Sequence, residues 1–231
     1  MFNGKMKAVT FSYDDGVMQD KRLIKLFDKY NLKGTFNLNS EKLGTVYRAE
    51  YEGKKIVRYM VEPGEVREVY RNHEVAVHTL THPKLTECDA KEIVRQVEQD
   101  RQNLSKLVGY DVIGMAYPGG GINNDERVAD IIKRRTKIQY ARTTTSTLQF
   151  DLQSDLYRFN PSVHHSMNFD ELCKIGRKFV ELQPTSPQIF YIWGHSYEFD
   201  EQDTWDKMEQ FCQLIANRDD IFYGTNREVL L

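Results

Sequence analysis

The chain is 231 residues long, 40% hydrophobic and 12% aromatic, which suits one sizeable core and excludes a disordered segment. A formal net charge of -2 with no run of basic residues excludes an electrostatic case for nucleic acid. Three widely spaced cysteines, Cys88, Cys173 and Cys212, make neither a disulfide framework nor a cysteine metal site, and no apolar stretch reaches membrane-spanning length.

In chain order, short β-rich runs alternate with amphipathic helical stretches. Ala8-Val9-Thr10-Phe11 reads as a first strand, and Leu23, Ile24, Phe27 and Tyr30 give Lys21 to Tyr30 a helical spacing. Thr35 to Leu38 is the next strand, followed by a polar, irregular excursion from Ser40 to Gly64 with a small hairpin. Val75-Ala76-Val77 is a strand that begins near His73 and runs into His78. Asp89 caps a long helix ending near Val108-Gly109, with Ile93, Val97, Leu104 and Leu107 inward. Then come a strand at Val112 to Ala116, a helix from Asn124 to Lys133 and a weak strand at Lys137 to Ala141. A helix from Phe169 to Leu182, a strong strand at Ile189 to Trp193 and a helix from Thr204 to Ala216 follow, and Ile221-Phe222-Tyr223 closes the series. No internal repeat or linker divides the chain, so residues 1–231 are expected to form a single domain. Strand–helix alternation argues for a parallel sheet with crossover helices.

The polar groups fall in a pattern. Asp14 and Asp15 follow the first strand, His78 ends the third, Pro118-Gly119-Gly120-Gly121 follows the fourth, and His195 follows the strand at Trp193. In a barrel of βα units the carboxyl ends of strands form the active face. His78 and His82, four apart, would share one side of a helical turn and reach one ion, although two loop histidines read equally well from spacing alone. Adjacent carboxylates repel and a cation relieves them; a turn and helix cap is the alternative for Asp14-Asp15-Gly16. His195 is a candidate general acid or a satisfied core histidine. The glycines after Pro118 are able to bring an N–H to an oxyanion. His73, His164 and His165 read as structural.

Taken together these residues resemble the polysaccharide deacetylases, the NodB-homology group of carbohydrate esterases (family four). The T-F-D-D-G motif is similar to Thr10-Phe11-Ser12-Tyr13-Asp14-Asp15-Gly16, with two residues inserted. H-[S/T]-x-x-H matches His78 to His82. R-P-P-Y-G is matched in part by Ala116-Tyr117-Pro118-Gly119-Gly120, and L-x-L-x-H by Tyr191 to His195. The resemblance implies a distorted (β/α)7 barrel and a metal-dependent hydrolase that removes acetyl groups, N-acetyl foremost, from an oligo- or polysaccharide. It makes Asp15, His78 and His82 the ligands of a divalent metal (zinc, with cobalt or nickel as alternatives), which activates a water. Asp14 becomes the base, His195 the acid and the Gly119 N–H the oxyanion donor. Tyr117, Trp193 and Tyr197 are candidate exposed aromatics for stacking on sugar, or for packing the barrel rim.

The departures are specific. The family's third-motif Arg falls at Ala116, with Arg142 and Arg158 as substitutes to test. Its fourth-motif Asp, which tunes the acid, has no clear match; Asp151 and Asp155 are the candidates. Trp193 stands where a leucine lines the acetyl pocket. These gaps leave open an amidase acting on a cyclic imide or ureide, a non-catalytic carbohydrate-binding barrel and, from two His and one carboxylate alone, a ferrous oxygenase. The N-terminal residues lack an apolar signal core, so the chain is expected to be soluble and cytoplasmic; a leader removed beforehand would leave the same sequence. Sugar identity and oligomeric state are not encoded in any of these motifs.

Overall fold

The computed structural model describes residues 2–51 and 54–231. In chain order the elements are β1 (Lys7–Asp14), α1 (Asp20–Lys29), β2 (Gly34–Leu38), a hairpin of β3 (Val46–Tyr51) and β4 (Lys54–Tyr59), the short α2 (Val66–Val69) and β5 (Glu74–Val77). A long helix follows as α3 (Ala90–Val94), a π-helical turn (Arg95–Gln99) and α4 (Asp100–Val108). Then come β6 (Gly114–Ala116), α5 (Glu126–Arg135), β7 (Tyr140–Arg142), β8 (Val163–His164), α6 (Phe169–Glu181), β9 (Gln188–Gly194), α7 (Glu198–Glu201), α8 (Trp205–Ile215), β10 (Ile221–Tyr223) and α9 (Asn226–Leu230).

All strands except the hairpin belong to one parallel sheet in the order β7-β6-β5-β2-β1-β9-β8, with β10 on β1. One edge of β1 is taken by β9; the other is shared, β10 pairing with Lys7 to Val9 and β2 with Phe11 to Asp14. The sheet curls. Phe159, just ahead of β8, forms a parallel bridge to Arg142 in β7, and its N–H donates to the Ala141 carbonyl (2.9 Å). This stitch brings the two edges together as the curled, helix-flanked sheet of a distorted (β/α)7 barrel in one domain.

Sequence explains the layers. β1, β2, β5 and β9 are buried on both faces, as parallel strands covered by helices must be, and so read as continuous runs rather than alternating ones. α1 turns Leu23, Ile24 and Phe27 inward. Each such fully buried side chain is worth about 1.5–3 kcal/mol over exposure. Asp89 caps the long helix by accepting from the Glu92 N–H (2.8 Å), and Asp125 caps α5 by accepting from Val128 (2.7 Å). Thr225 and Glu228 form a capping box on α9.

The hairpin expected within Ser40 to Gly64 is present; its turn, residues 52 and 53, lies outside the described residues, as does Met1. β8 is not visible in the sequence. It is two residues long, follows Pro161, and ends in the His164-His165 pair expected in a loop. No described helix is long and apolar enough to cross a membrane.

Candidate active site

The metal-ligand candidates are set by backbone at the carboxyl ends of three neighbouring strands. Asp14 is the last residue of β1; Asp15 (φ 81°) and Gly16 (φ 68°) then turn the chain through left-handed conformations. Gly16 is required there twice over, because a Cβ would lie 2.8 Å from the Leu38 side chain. The Asp15 N–H donates to Asn37 O (3.0 Å) and Val61 N–H to Gly16 O (2.8 Å), fixing the turn. Both carboxylates face His78, Asp14 Oδ2 at 3.9 Å and Asp15 Oδ1 at 3.8 Å from its Nε2, while Asp15 also faces His82.

His78 follows β5, and its N–H donates to Leu38 O (2.9 Å). Its Nδ1 lies 2.9 Å from Ala116 O, which fixes the proton on Nδ1 and leaves the Nε2 lone pair free. The pair does not lie on a helical turn, contrary to the spacing argument. Thr79 (φ 69°) and His82 (φ 67°) are left-handed, and the His82 N–H donates to Thr79 Oγ1 (3.1 Å). The tight loop still brings the rings together edge to face, 4.9 Å apart at 69°. Support comes from the π-helical turn: Gln96 accepts from the Leu80 N–H on its carbonyl (3.0 Å) and from Thr81 N–H on its side chain (3.1 Å). A π turn frees backbone groups that an α-helix would consume, and here they hold the histidine loop.

Asp15 Oδ1 lies 3.8 Å from His78 Nε2 and 3.7 Å from His82 Nε2, and the three donor atoms fall within 4.8 Å of one another. Burial depresses the pKa of both histidines, that of His82 to about 4 with the neighbouring His78 adding to it, so both rings are neutral near pH 7. Two neutral imidazoles with free lone pairs and one carboxylate are the donor set of a divalent ion of the zinc type, and the residues fit that group.

Asp14 is fully buried and so is Arg142, whose Nη2 donates to both carboxylate oxygens at 2.6 Å. Arg142 also donates to Ser12 Oγ (3.1 Å) and Thr143 O (3.0 Å), and its guanidinium lies 4.4 Å from the Trp193 ring. Burial pushes the Asp14 carboxyl up, but Arg142, then His78 and His195, outweigh it and hold the group ionised below the usual range. The expected arginine at position 116 is thus supplied by Arg142. Ala116 and Arg142 are register partners across β6 and β7, so the guanidinium comes from the same level of the barrel, one strand over. Arg158 pairs with Asp155 instead.

His195 stands at the end of β9. Its partner is Glu198, whose Oε1 lies 3.5 Å from Nδ1 and whose Oε2 accepts from the His195 N–H (3.1 Å). His165 Nε2 lies 3.0 Å from the same carboxylate and His164 Nε2 3.7 Å. Burial would lower the His195 pKa; the Glu198 contact, then Asp15 and Asp14, raise it above the ordinary value. Glu198 is held below the usual carboxylate range, because His165 and His195 outweigh its burial. Neither Asp151 nor Asp155 is near: the first bonds Gln188 Nε2 (3.0 Å), and the second caps the turn at Leu156–Arg158. His164 and His165, read from the sequence as structural, therefore stand beside His195 and share its partner Glu198. Gly194 permits this, since a Cβ there would collide with the His165 ring at 2.2 Å. The signal in the sequence was His195-x-x-Glu198 directly after a strand.

These groups open on a cavity of about 470 Å³ that also touches Lys42, Tyr47, Arg58, Gly119 and Thr144. Gly119 adopts φ 80°, and its N–H donates to no described group of the chain. Tyr117, Trp193 and Tyr197 line the cavity but are buried, not exposed: the Tyr117 hydroxyl donates to Tyr157 O (2.8 Å), Trp193 packs on Arg142, and Tyr197 stacks on His195 at 5.0 Å. The exposed aromatic on the cavity is Tyr47 of the hairpin, which sequence reasoning missed.

The chain is 27% identical over 125 residues to the peptidoglycan-N-acetylmuramic acid deacetylase PdaC of Bacillus subtilis, covering 54% of this chain and 24% of that one. It is 27% identical over 116 residues to the chitooligosaccharide deacetylase of Rhizobium leguminosarum bv. phaseoli, covering 49% and 41%. The match spans less than half the length of either relative. Among solved structures, the fold is similar to the Xyl-CE4 domain of a multidomain xylanase from the hindgut metagenome of Trinervitermes trinervoides (TM-score 0.61, 17% identity, 97% and 89% coverage). It is also similar to a family 4 acetyl xylan esterase from Clostridium thermocellum in complex with cobalt (TM-score 0.62, 12% identity, 96% and 89%). The profile of the polysaccharide deacetylases matches residues 3–135, the stretch that carries Asp14, Asp15, His78, His82 and Gly119, and on that ground the chain belongs to the polysaccharide deacetylase family.

Proposed function

We propose that this chain acts as one catalytic unit that hydrolyses acetyl groups, N-acetyl foremost, from an acetylated oligo- or polysaccharide. The observation that carries this reading is the pairing of two supports around one donor triangle: Arg142 behind Asp14 and Glu198 behind His195, with Asp15, His78 and His82 between. A pure binding site needs neither of the flanking pairs.

Asp15, His78 and His82 would hold the cation, zinc foremost and cobalt or nickel as alternatives. When bound, such an ion supplies Lewis acidity toward the acyl carbonyl and lowers the pKa of a water toward ~7. Asp14, ionised and oriented by Arg142, takes the proton of the attacking water as its oxygen bonds the acetyl carbon. The Gly119 N–H faces the oxyanion; a donor in that role is worth roughly 3–4 kcal/mol. His195, kept protonated by Glu198, gives its proton to the sugar nitrogen as the C–N bond breaks, so a neutral amine leaves with acetate. Trp193 and Tyr197 wall the acyl pocket, and Tyr47 is the surface on which a sugar ring stacks.

The imide or ureide reading rested on a missing arginine, and Arg142 removes that support; the binding-barrel reading rested on eroded motifs that Arg142 and Glu198 make good. The oxygenase reading expects an all-β fold, unlike this one. The test is acetate release from N-acetylated chito-oligosaccharides, peptidoglycan fragments and acetylated xylan, set beside small cyclic imides. Release from a carbohydrate that disappears in Asp14→Asn supports the proposal; turnover of imides alone contradicts it.

A further inference from the structure

His164, His195 and Glu198 form a second triangle of metal donors whose atoms also lie within 4.8 Å of one another. It repeats the composition of the first, two imidazoles and one carboxylate. Its spacing is comparable: Glu198 places Oε2 3.7 Å from His164 Nε2 and Oε1 3.5 Å from His195 Nδ1, whereas one oxygen, Asp15 Oδ1, faces both histidines of the first at 3.8 and 3.7 Å. Donors sharing a tetrahedral ion at 2.0–2.1 Å stand about 3.3 Å apart, so the closure required is small in both places.

The surroundings suit an ion. His195 Nδ1 is buried and makes no aligned hydrogen bond, a polar atom left without a full partner. His164 Nδ1 accepts from the Ser166 N–H (3.1 Å) and lies 2.7 Å from Ser166 Oγ, which fixes the ring's orientation; an ion on Nε2 would take the place of the proton that this tautomer carries there. His165 Nε2, 3.0 Å from Glu198, braces the carboxylate from behind as outer partners of metal ligands do.

We propose that this triangle is a second, weaker divalent-metal site of the zinc class, and that its occupation switches the enzyme off. An ion between Nδ1 of His195 and Glu198 would take the place of the Nδ1 proton, so the ring could no longer become the imidazolium that protonates the leaving group. The inhibitory half rests on His195 being that acid; the binding half does not.

The experiment starts from chain carrying one equivalent of Zn²⁺ or Co²⁺. Further metal ion is titrated against a chromophoric chelator, with the Co²⁺ absorption spectrum recorded and acetate release measured in parallel. The wild type is expected to bind a second ion at a higher concentration than the first and to lose at least tenfold in turnover as it does. His164→Ala, and His164→Gln as the volume-conserving variant, are expected to keep the first ion and the basal rate while shifting both the second binding step and the inhibition upward by about tenfold or more. One ion only up to millimolar metal, or a second step that neither variant moves, overturns the site. A second step that moves in both variants without inhibition keeps the site and overturns the role of His195.

Discussion

The two halves of the barrel hold their working groups by different means. Up to about residue 135 the candidate ligands are held largely by main chain: Asn37 O and Val61 N–H fix the Asp15 turn, and Leu38 O, Ala116 O and the Gln96 carbonyl of the π turn fix the histidine loop, with the Asn39, Asp100 and Gln96 side chains completing it. Asp14 and His195 depend instead on side chains from beyond that point, Arg142 reaching across to Asp14 and Glu198 reaching back to His195. Backbone-held positions tie a short motif to its place in the chain. A side-chain support needs only to arrive at the right point, and any strand end at that level can supply it. The profile match stops where the first kind gives way to the second.

The comparison is broken most severely in the first half. Asp15→Ala or His82→Ala is expected to abolish stoichiometric zinc, measured by elemental analysis after dialysis, and to take all detectable acetate release with it. In the second half Arg142→Met leaves the Asp14 carboxylate buried without its counter-ion. That should cost about 3–5 kcal/mol of stability in denaturant melts, and turnover as well. Adding Ala116→Arg to Arg142→Ala moves the guanidinium back to the neighbouring strand at the same level; partial recovery of turnover would support interchangeable supports, and none would tie the support to β7.

His195→Ala is expected to slow amide hydrolysis by about a hundredfold or more while sparing esters, because an alkoxide leaves better than an amide anion. Equal losses on both substrates contradict the acid role. Glu198→Gln gives a smaller, directional effect. Glu198 raises the His195 pKa, and activity falls as rising pH deprotonates His195. Removing the carboxylate therefore moves the alkaline limb of the kcat profile to lower pH; a limb that stays in place contradicts the assignment.

The last expected effect lies beneath the site and bears on stability rather than turnover. Burial pushes Asp20 to about 7, although the Ser196 and Tyr70 hydroxyls bond it. The unfolded chain ionises it near 4, so between about pH 4 and 7 the folded form binds the extra proton and stability falls as pH rises. Asp20→Asn should flatten that slope in denaturant titrations at pH 4.5 and 7.5.

Most strands and helices were legible because their apolar periods are strong, and the convergence of Asp15, His78 and His82 was legible because their motifs are local. The loop geometry around His82 was not, since spacing of four suits a helix turn as well as a left-handed loop. β8 escaped for lack of length. Arg142 was nameable only as one of two substitutes, because choosing it needs the register of β6 against β7. Glu198 was missed because a carboxylate three residues after a histidine is common and becomes informative only when its side chain is seen to turn back onto that histidine. Tyr117 was misjudged because loop position does not reveal burial.

The most direct test is anomalous diffraction at the zinc edge from crystals of chain loaded with one equivalent of zinc. The expected result is a single peak about 2.0–2.2 Å from Asp15 Oδ, His78 Nε2 and His82 Nε2, with Asp14 still paired to Arg142 and outside bonding distance. A principal peak elsewhere, or one that takes Asp14 in place of Asp15, contradicts the division of labour between the two aspartates.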